Sequence, residues 1–440
     1  MSAFQGRLQA GSYLGDRMSF KRVGESMLRA GLAAIVLVCS FAQAAEIGAL
    51  DSDFSLHGFG TLGIAYSSQA GMPFIREISQ NIDEIDRVSA RQDSRLGLQL
   101  NYRLLSDLEL VGQVVARDKV NNTLNNSVEW AFGKWEPIPA TTFRLGRVGL
   151  DLFLLSDQRN ISYTYSWVRP PVEFYGWLPL YSLDGGDVTW WTSLGEGQLK
   201  TKFFAGRSQA ADVKLTSTPI QFAVSPAVGL NISWENLYWR WRLGYTRSRL
   251  DLDYAAPSDL TDGLQMALPV WPQAATLLDA FKVRDTDLTY TGIGASYDDG
   301  RWQVIGELSR TSVERLSLPR GNKAYLSVGY RFGAWLPYVM YANSTDHRSI
   351  TLAQPANPLL TPLWAAGSAA INQRGMTQRT WSFGARGDVA NNVALKFQID
   401  SVSAPPEGRW LWYRQGAGLS DVTPLRVDTC VLTVTVDVLF

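Results

Sequence analysis

Two histidines and two acidic segments are the first places in this sequence to look for chemistry. His57 and His347 are the only histidines among 440 residues, and neither belongs to a motif typical of a catalytic triad or a zinc site. The acidic segments 285–287 and 298–300 lack the twelve-residue pattern of a calcium-binding loop. The sequence therefore predicts no catalytic residue, no metal site and no cofactor.

Residues 149–186 combine charged and aromatic side chains in a way that suits contact with a passing solute. The charged residues of this segment that we expect to line a pore constriction are Asp151, Asp157, Arg159, Arg169, Glu173 and Asp184. Its aromatic side chains would be costly to leave in water, by about 1.5–3 kcal/mol for each large side chain otherwise buried. We therefore expect the segment to fold against the rest of the protein, with its charges lining a narrow path.

A second set of cations occurs at alternate positions of segments that resemble β-strands. Its members are Arg95, Arg117, Arg144, Arg240, Arg242, Arg331, Arg386 and Lys396. Period-two alternation places them on the opposite side of the sheet from leucine and aromatic residues. Charges on that face are costly in a dry core but cost little beside water. The pattern therefore favours a water-filled lumen, lined by these cations, over a soluble sandwich.

The composition supports a membrane barrel. Hydrophobic residues make up 46% of the chain and charged residues 19%, below the ~25% of a typical soluble domain. The 16 Trp, 17 Tyr and 18 Phe residues suit the two aromatic girdles of such a barrel. Equal numbers of basic and acidic residues, 41 each, argue against nucleic-acid binding.

Sixteen alternating segments, separated by turn residues, are the elements that must position these side chains. The predicted strands are 54–66, 92–102, 107–118, 126–134, 141–148, 187–194, 197–206, 223–234, 237–250, 287–297, 301–312, 322–332, 335–345, 378–389, 392–402 and 426–440. Tight turns alternate with long connections, which include 67–91, 149–186, 251–286, 346–377 and 403–424. This asymmetry is typical of an antiparallel transmembrane β-barrel with short periplasmic turns and long external loops. We assign that barrel to residues 45–440.

The N-terminus predicts export. Lys21, Arg22 and Arg29 precede the apolar run 30–41, and Ala42-Gln43-Ala44 provides a small-x-small cleavage site. We therefore predict a cleaved signal peptide over residues 1–44. Cys39 belongs to this leader, so Cys430 is expected to be the one thiol of the mature chain.

Three features resemble the porin superfamily of Gram-negative outer membranes. The last strand alternates apolar and polar residues and ends on Phe440, similar to the assembly signal of outer-membrane barrels. Residues 56–63 resemble a porin first strand, and Pro171-Val172-Glu173-Phe174-Tyr175-Gly176 is similar to a motif of the third external loop, with Val172 and Tyr175 interposed. The resemblance implies that loop 149–186 folds inward and narrows the channel. It also implies a homotrimer, outer-membrane lipid and lipopolysaccharide around it, and recognition of Phe440 by the barrel-assembly machinery.

The predicted function is passive diffusion of small hydrophilic solutes across the outer membrane. One alternative is a substrate-selective channel, in which loop aromatics contact sugar rings or wall arginines attract organic acids. Another is a surface adhesin or barrel enzyme that uses its long loops instead of a lumen. An inward arginine cluster facing loop acids would create a transverse field that orients dipolar solutes.

Overall fold

A computed structural model describes most of the chain. It covers residues 53–69, 71–81, 84–208, 211–213, 220–253, 258–314, 320–347, 352–372, 375–406, 411–412 and 426–440. The predicted leader, residues 1–44 with Cys39, lies outside these ranges, and its cleavage stays a prediction.

Sixteen long antiparallel strands form a single sheet that closes on itself. They are β1 Phe54–Ser67, β2 Arg95–Leu105, β3 Leu108–Arg117, β4 Val128–Ile138, β5 Thr141–Gly149, β6 Ser182–Leu194, β7 Gly197–Arg207, β8 Ile220–Glu235, β9 Trp239–Asp253, β10 Val283–Asp298, β11 Trp302–Val313, β12 Arg320–Tyr330, β13 Trp335–His347, β14 Gln378–Ala390, β15 Val393–Ala404 and β16 Val427–Leu439. Each strand pairs with its sequence neighbours, and β1 pairs with β16 from Phe59 opposite Leu439 to Ser67 opposite Val431. Two short strands, Val88–Ser89 and Ala211–Val213, extend the pairing of β1 and β8. The predicted barrel and strand count are confirmed.

Two strand boundaries depart from the prediction at glycine and proline. β6 begins at Ser182, five residues before the predicted start, although Asp184-Gly185-Gly186 resembles a turn. These glycines lie in the sheet because the strands approach closely there: a Cβ on Gly185 would lie 2.1 Å from the Ala205 carbonyl oxygen. β4 likewise continues through Pro137 to Ile138, with an irregular register against β5.

The long connections contain helices that the sequence analysis did not predict. These are α1 Leu124–Ser127, α2 Val172–Tyr175, α3 Ser258–Ala267, α4 Ala274–Phe281 and α5 Thr361–Asn372, with 3-10 turns at Ser156–Gln158, Ser162–Thr164 and Pro358–Leu360. Leu264, Leu277 and Ile371 form the centre of a small separate core between α3, α4 and α5. Among the described residues, no helix is long and apolar enough to cross a membrane.

The two faces of the sheet differ as the alternation predicts. The outward face exposes large apolar side chains, including Leu96, Leu98, Leu100, Trp239, Trp241, Leu243, Leu326, Trp381, Phe383 and Ile399. The inward face is polar and charged, yet the main hydrophobic core also lies inside the barrel. Many side chains of this core come from two connections whose described residues fold into the lumen: residues 68–94, called here the first loop, and residues 150–181, called the constriction loop.

Candidate constriction inside the barrel

The constriction loop lies inside the barrel and packs its aromatic rings on the inner wall. Trp167 and Phe174 are fully buried, and both make edge-to-face contacts with Tyr325 of β12, at ring-centroid distances of 5.6 and 5.2 Å. The Trp167 indole also donates to the Ser327 hydroxyl at 2.8 Å. The inward folding predicted for this loop is confirmed, and its driving force is the burial of these rings.

Asp151 fastens the beginning of the constriction loop to the wall. Its carboxylate accepts from Lys202 at 2.6 Å and pairs with Arg242 at 2.7 Å, while Asn231 donates to its carbonyl oxygen at 2.8 Å. Burial opposes the charge of Asp151, but Arg242 and Lys202 outweigh it and hold the pKa of this carboxyl well below its usual range. The predicted loop acid Asp151 and the predicted wall cation Arg242 therefore meet in a buried cluster, together with Lys202, which was not predicted.

Glu77 of the first loop forms the second fastening point. It pairs with Arg117 of β3 at 2.5 Å and with Arg159 at 3.5 Å, and it accepts from the Tyr181 hydroxyl. The Tyr181 ring lies between these guanidinium groups, 3.6 and 3.9 Å from their central carbons. Burial raises the pKa of Glu77, but the two arginines and the tyrosine hydroxyl overcome this effect and lower it to about 2. The two inserted loops are thus held to each other and to β3.

Arg169 joins both loops to the far side of the barrel. Its guanidinium donates to Asp93 at 2.7 Å, to Asp400 of β15 at 2.8 Å and to the Thr433 hydroxyl of β16 at 2.5 Å. It also lies over the Phe74 ring, 4.7 Å from the centroid. A planar guanidinium with several donors can serve these partners at once, which an ammonium group cannot do with the same geometry.

Lys396 and Arg386 hold the constriction loop by its backbone. The Lys396 ammonium donates to the carbonyl oxygens of Ser162 and Trp167, at 2.6 and 2.9 Å, and pairs with Asp437 at 2.8 Å. Arg386 donates to the Tyr163 carbonyl oxygen at 2.5 Å. These predicted wall cations therefore have an additional use, which is to satisfy loop carbonyls that water cannot reach.

Glu173 differs from the other loop acids because no cation accompanies it among the described residues. It is 1% exposed and accepts from the side chains of Gln378, at 2.6 Å, and Thr380. Burial raises the pKa of the Glu173 carboxyl above its usual range, and the two hydrogen bonds oppose this effect only partly. Glu173 thus faces the wall.

Arg95 is buried, whereas most of the remaining predicted site residues are more accessible. Asp157 lies 4.0 Å from Lys202, and its side chain is 43% exposed. Asp184 pairs with Arg147 at 2.8 Å, and Arg144 forms a bidentate pair with Asp187. Arg240 and Arg331 lie near the short turns, paired with Glu235 and Asp388, and remain partly exposed. Whether these side chains control solute passage stays a prediction.

Several residues of the constriction escaped the sequence analysis. They are Glu77 and Asp93 in the first loop, Glu307 in β11 and Asp400 in β15. Glu307 accepts from the hydroxyls of Tyr175 and Tyr325. A usable signal was present for the first loop, since its apolar side chains, among them Phe74 and Ile78, are as costly to expose as those of the constriction loop.

The described residues contain no group of three or more histidine, cysteine, aspartate or glutamate side chains that could hold a metal ion. His57 is an exposed residue of β1. The side chain of His347 lies outside the described part of the chain.

Comparisons with solved structures fit this architecture. An anion-selective porin from Comamonas acidovorans is 14% identical, with a TM-score of 0.50, and the match covers 88% of this chain and 99% of the porin. The OmpF complex with daunomycin from Salmonella typhi is 14% identical over 88% of this chain and 97% of that one, with a TM-score of 0.51. The outer membrane channel DcaP of Acinetobacter baumannii is 12% identical over the same shares, with a TM-score of 0.50.

No protein-family model and no curated protein matches the sequence. At 12–14% identity the structural likeness concerns the fold. Together with the closed sixteen-stranded sheet and the constriction loop folded into its lumen, it shows that the chain has the fold of a porin-like β-barrel.

Proposed function

We propose that this protein is an outer-membrane channel for the passive diffusion of small hydrophilic solutes. The observation that carries the proposal is the combination of an apolar outer wall with a charged interior crossed by the constriction loop. An apolar outer face suits a lipid environment, and a closed barrel satisfies every backbone group that lipid cannot. Export by a cleaved signal peptide and assembly as a homotrimer belong to the same proposal, as does contact with lipopolysaccharide.

The two inserted loops narrow the solute path. Asp157 of the constriction loop keeps contact with solvent, and Arg240 and Arg331 do so near the short turns. Small polar solutes would pass these side chains and exchange hydration for brief polar contacts. Because side chains of both loops fill so much of the lumen, we expect a conductance lower than that of a barrel with one inserted loop.

The substrate-selective alternatives receive less support. Rings of the constriction loop that would offer a track to sugars, such as Tyr165, Trp167 and Phe174, are buried against the wall. Cations that would attract organic acids, such as Lys202, Arg242 and Lys396, are already paired with carboxylates. A general diffusion path is therefore favoured. An adhesin or enzyme remains the competing class, because it would function without any conductance.

Planar-bilayer recording of the purified protein tests the proposal. We expect discrete conductance steps, and larger steps when the constriction loop is shortened between Asp157 and Leu183. The matched control replaces α3 and α4, residues 258–281, with a short flexible linker. These helices form a core of their own, separate from the main hydrophobic core inside the barrel. Folded protein that makes no channels would contradict the channel function. If the channels keep their conductance after the loop is shortened, this loop is not the constriction.

A further inference from the structure

The outward wall formed by β9–β13 contains a hollow. Its volume is about 530 Å³, and its lining includes Leu243, Ile293, Leu308, Arg310, Asn322 and Asn343. Leu243, Ile293 and Leu308 carry large apolar side chains around it, whereas Thr291 and Ala324 are small. The hollow opens on the outer surface, because Leu243, Ile293, Leu308, Arg310 and Asn322 of its lining are exposed there.

The hollow lies where the outward face changes from apolar to polar. One row of paired positions runs through Leu243, Ile293, Leu308 and Ala324. The next row towards the long connections runs through Tyr245, Thr291, Arg310, Asn322 and Thr345. The same opening thus offers aliphatic side chains on one side and hydrogen-bond donors on the other, which is the pattern that fits an amphiphile.

Arg310 is the charged residue of this hollow without a protein partner. Neighbouring outward arginines are paired, Arg247 with Asp287 at 3.1 Å and Arg249 with Asp285 at 2.6 Å. Arg310 is exposed, and within the described residues its side chain makes no hydrogen bond or ion pair, although its backbone pairs in the sheet. A guanidinium beside an apolar wall, two residues from exposed Leu308, needs an anion to replace lost hydration.

We propose that this hollow binds a phosphorylated lipid, with the phosphate on Arg310 and an acyl chain along Leu243, Ile293 and Leu308. The inference rests on the proposed membrane location but not on channel activity. A guanidinium donates two parallel hydrogen bonds to phosphate oxygens, and the side chains of Asn322 and Thr291 add donors at the same level. A second copy of the barrel would bring another apolar wall and leave Arg310 without a counter-ion.

Binding of defined lipids to the purified protein in neutral detergent tests this site. Phosphatidic acid is titrated against phosphatidylcholine and inorganic phosphate, and bound lipid is counted by native mass spectrometry. We expect a preference for phosphatidic acid of about tenfold or more, retained partly by Arg310→Lys and lost in Arg310→Gln. Arg301→Gln removes the same charge from the short-turn end of the same strand and should bind like the parent. Ala324→Trp fills the hollow without changing charge and should also weaken binding.

Each contrary result has a definite meaning. Equal binding of the two lipids, or unchanged binding by Arg310→Gln, overturns the site. Full competition by inorganic phosphate, or unchanged binding by Ala324→Trp, would mean that Arg310 binds anions in general, and it would overturn the proposed lipid site. Each variant is checked for a folded barrel by its gel migration without heating. Channel recordings test the proposed function separately. A protein that binds lipid but conducts no ions would contradict the channel function and still support the lipid site.

Discussion

Individual acids of the constriction loop divide into exposed and buried groups, and the division decides which of them a solute can meet. Asp157 keeps 43% of its side chain exposed, whereas Glu173 is 1% exposed and bonded to the wall. Sequence alone places both residues in one loop. It does not separate them, because burial depends on which strands the loop meets after it folds inward.

This division predicts unequal effects on ion selectivity. Asp157→Asn removes a negative charge that lies within a Debye length of about 8 Å from any ion passing beside it. We expect a shift of the reversal potential towards anion preference in a salt gradient. Glu173→Gln changes a carboxyl that faces the wall and should leave selectivity near that of the parent. Equal shifts in both variants would place Glu173 on the solute path.

Glu173 and Glu77 should also respond differently to pH. Burial raises the pKa of Glu173, so its stabilisation of the docked loop is fully present below its ordinary pKa and lost as pH rises through the raised value. Glu77 has a pKa lowered to about 2, so its stabilisation is present above its ordinary pKa and lost only as pH falls towards 2. The loop should therefore dock more firmly at pH 5 than at pH 7.

Hydrogen exchange of the backbone around residues 172–176 measures this docking. We expect slower exchange at pH 5, after correction for the intrinsic pH dependence, and no pH effect in Glu173→Gln. The matched control is Glu77→Gln, which should speed exchange at both values because it leaves Arg117 and Arg159 without their shared carboxylate. A pH effect that persists in Glu173→Gln would point to another titrating group.

Strands were predictable and loop contacts were not. Period-two alternation places Arg95, Arg144 and Lys396 on the inward face without further information. It does not identify their partners, because Lys396 meets carbonyl groups of residues more than 200 positions earlier in the chain. The helices α3–α5 were missed for a related reason, since their short apolar stripes gain stability only by packing on one another.

The seam between β1 and β16 depends on a close approach at its end. The Phe440 backbone exchanges hydrogen bonds with Gly58, at 2.6 and 3.0 Å, and the ring covers Gly58 so closely that a Cβ there would lie 2.1 Å from a ring atom. Any larger residue at position 58 therefore requires the ring to move.

Two variants test this seam as an assembly element. Phe440→Asp should lower the amount of folded protein in the outer membrane several-fold, because a carboxylate replaces an aromatic ring at the outer surface. Gly58→Val should have a milder effect, since Phe440 can rotate away. Leu359→Asp, at an exposed position of a long connection, is the control. If the Phe440→Asp variant reaches normal amounts of folded protein in the outer membrane, Phe440 has no role in assembly.

At the scale of the whole molecule, closure of the sheet predicts resistance to detergent. Every long strand has two partners, so SDS finds no unpaired edge at which to begin unfolding. We expect the unheated protein to migrate differently from the boiled protein on an SDS gel, and circular dichroism of the unheated form to show β-sheet. Identical migration of both samples would count against a closed barrel.

The contacts of Arg169 also constrain the order in which the barrel is built. Its partner Asp93 immediately precedes β2, whereas Asp400 and Thr433 belong to the last two strands. The interior can therefore reach its final arrangement only when the C-terminal hairpin has joined the sheet. Until then Arg169 lacks Asp400 and Thr433, and the Ser162 and Trp167 carbonyl oxygens lack the Lys396 ammonium. Pairing of the C-terminal hairpin with the rest of the sheet thus both closes the cylinder and completes the contacts of Arg169.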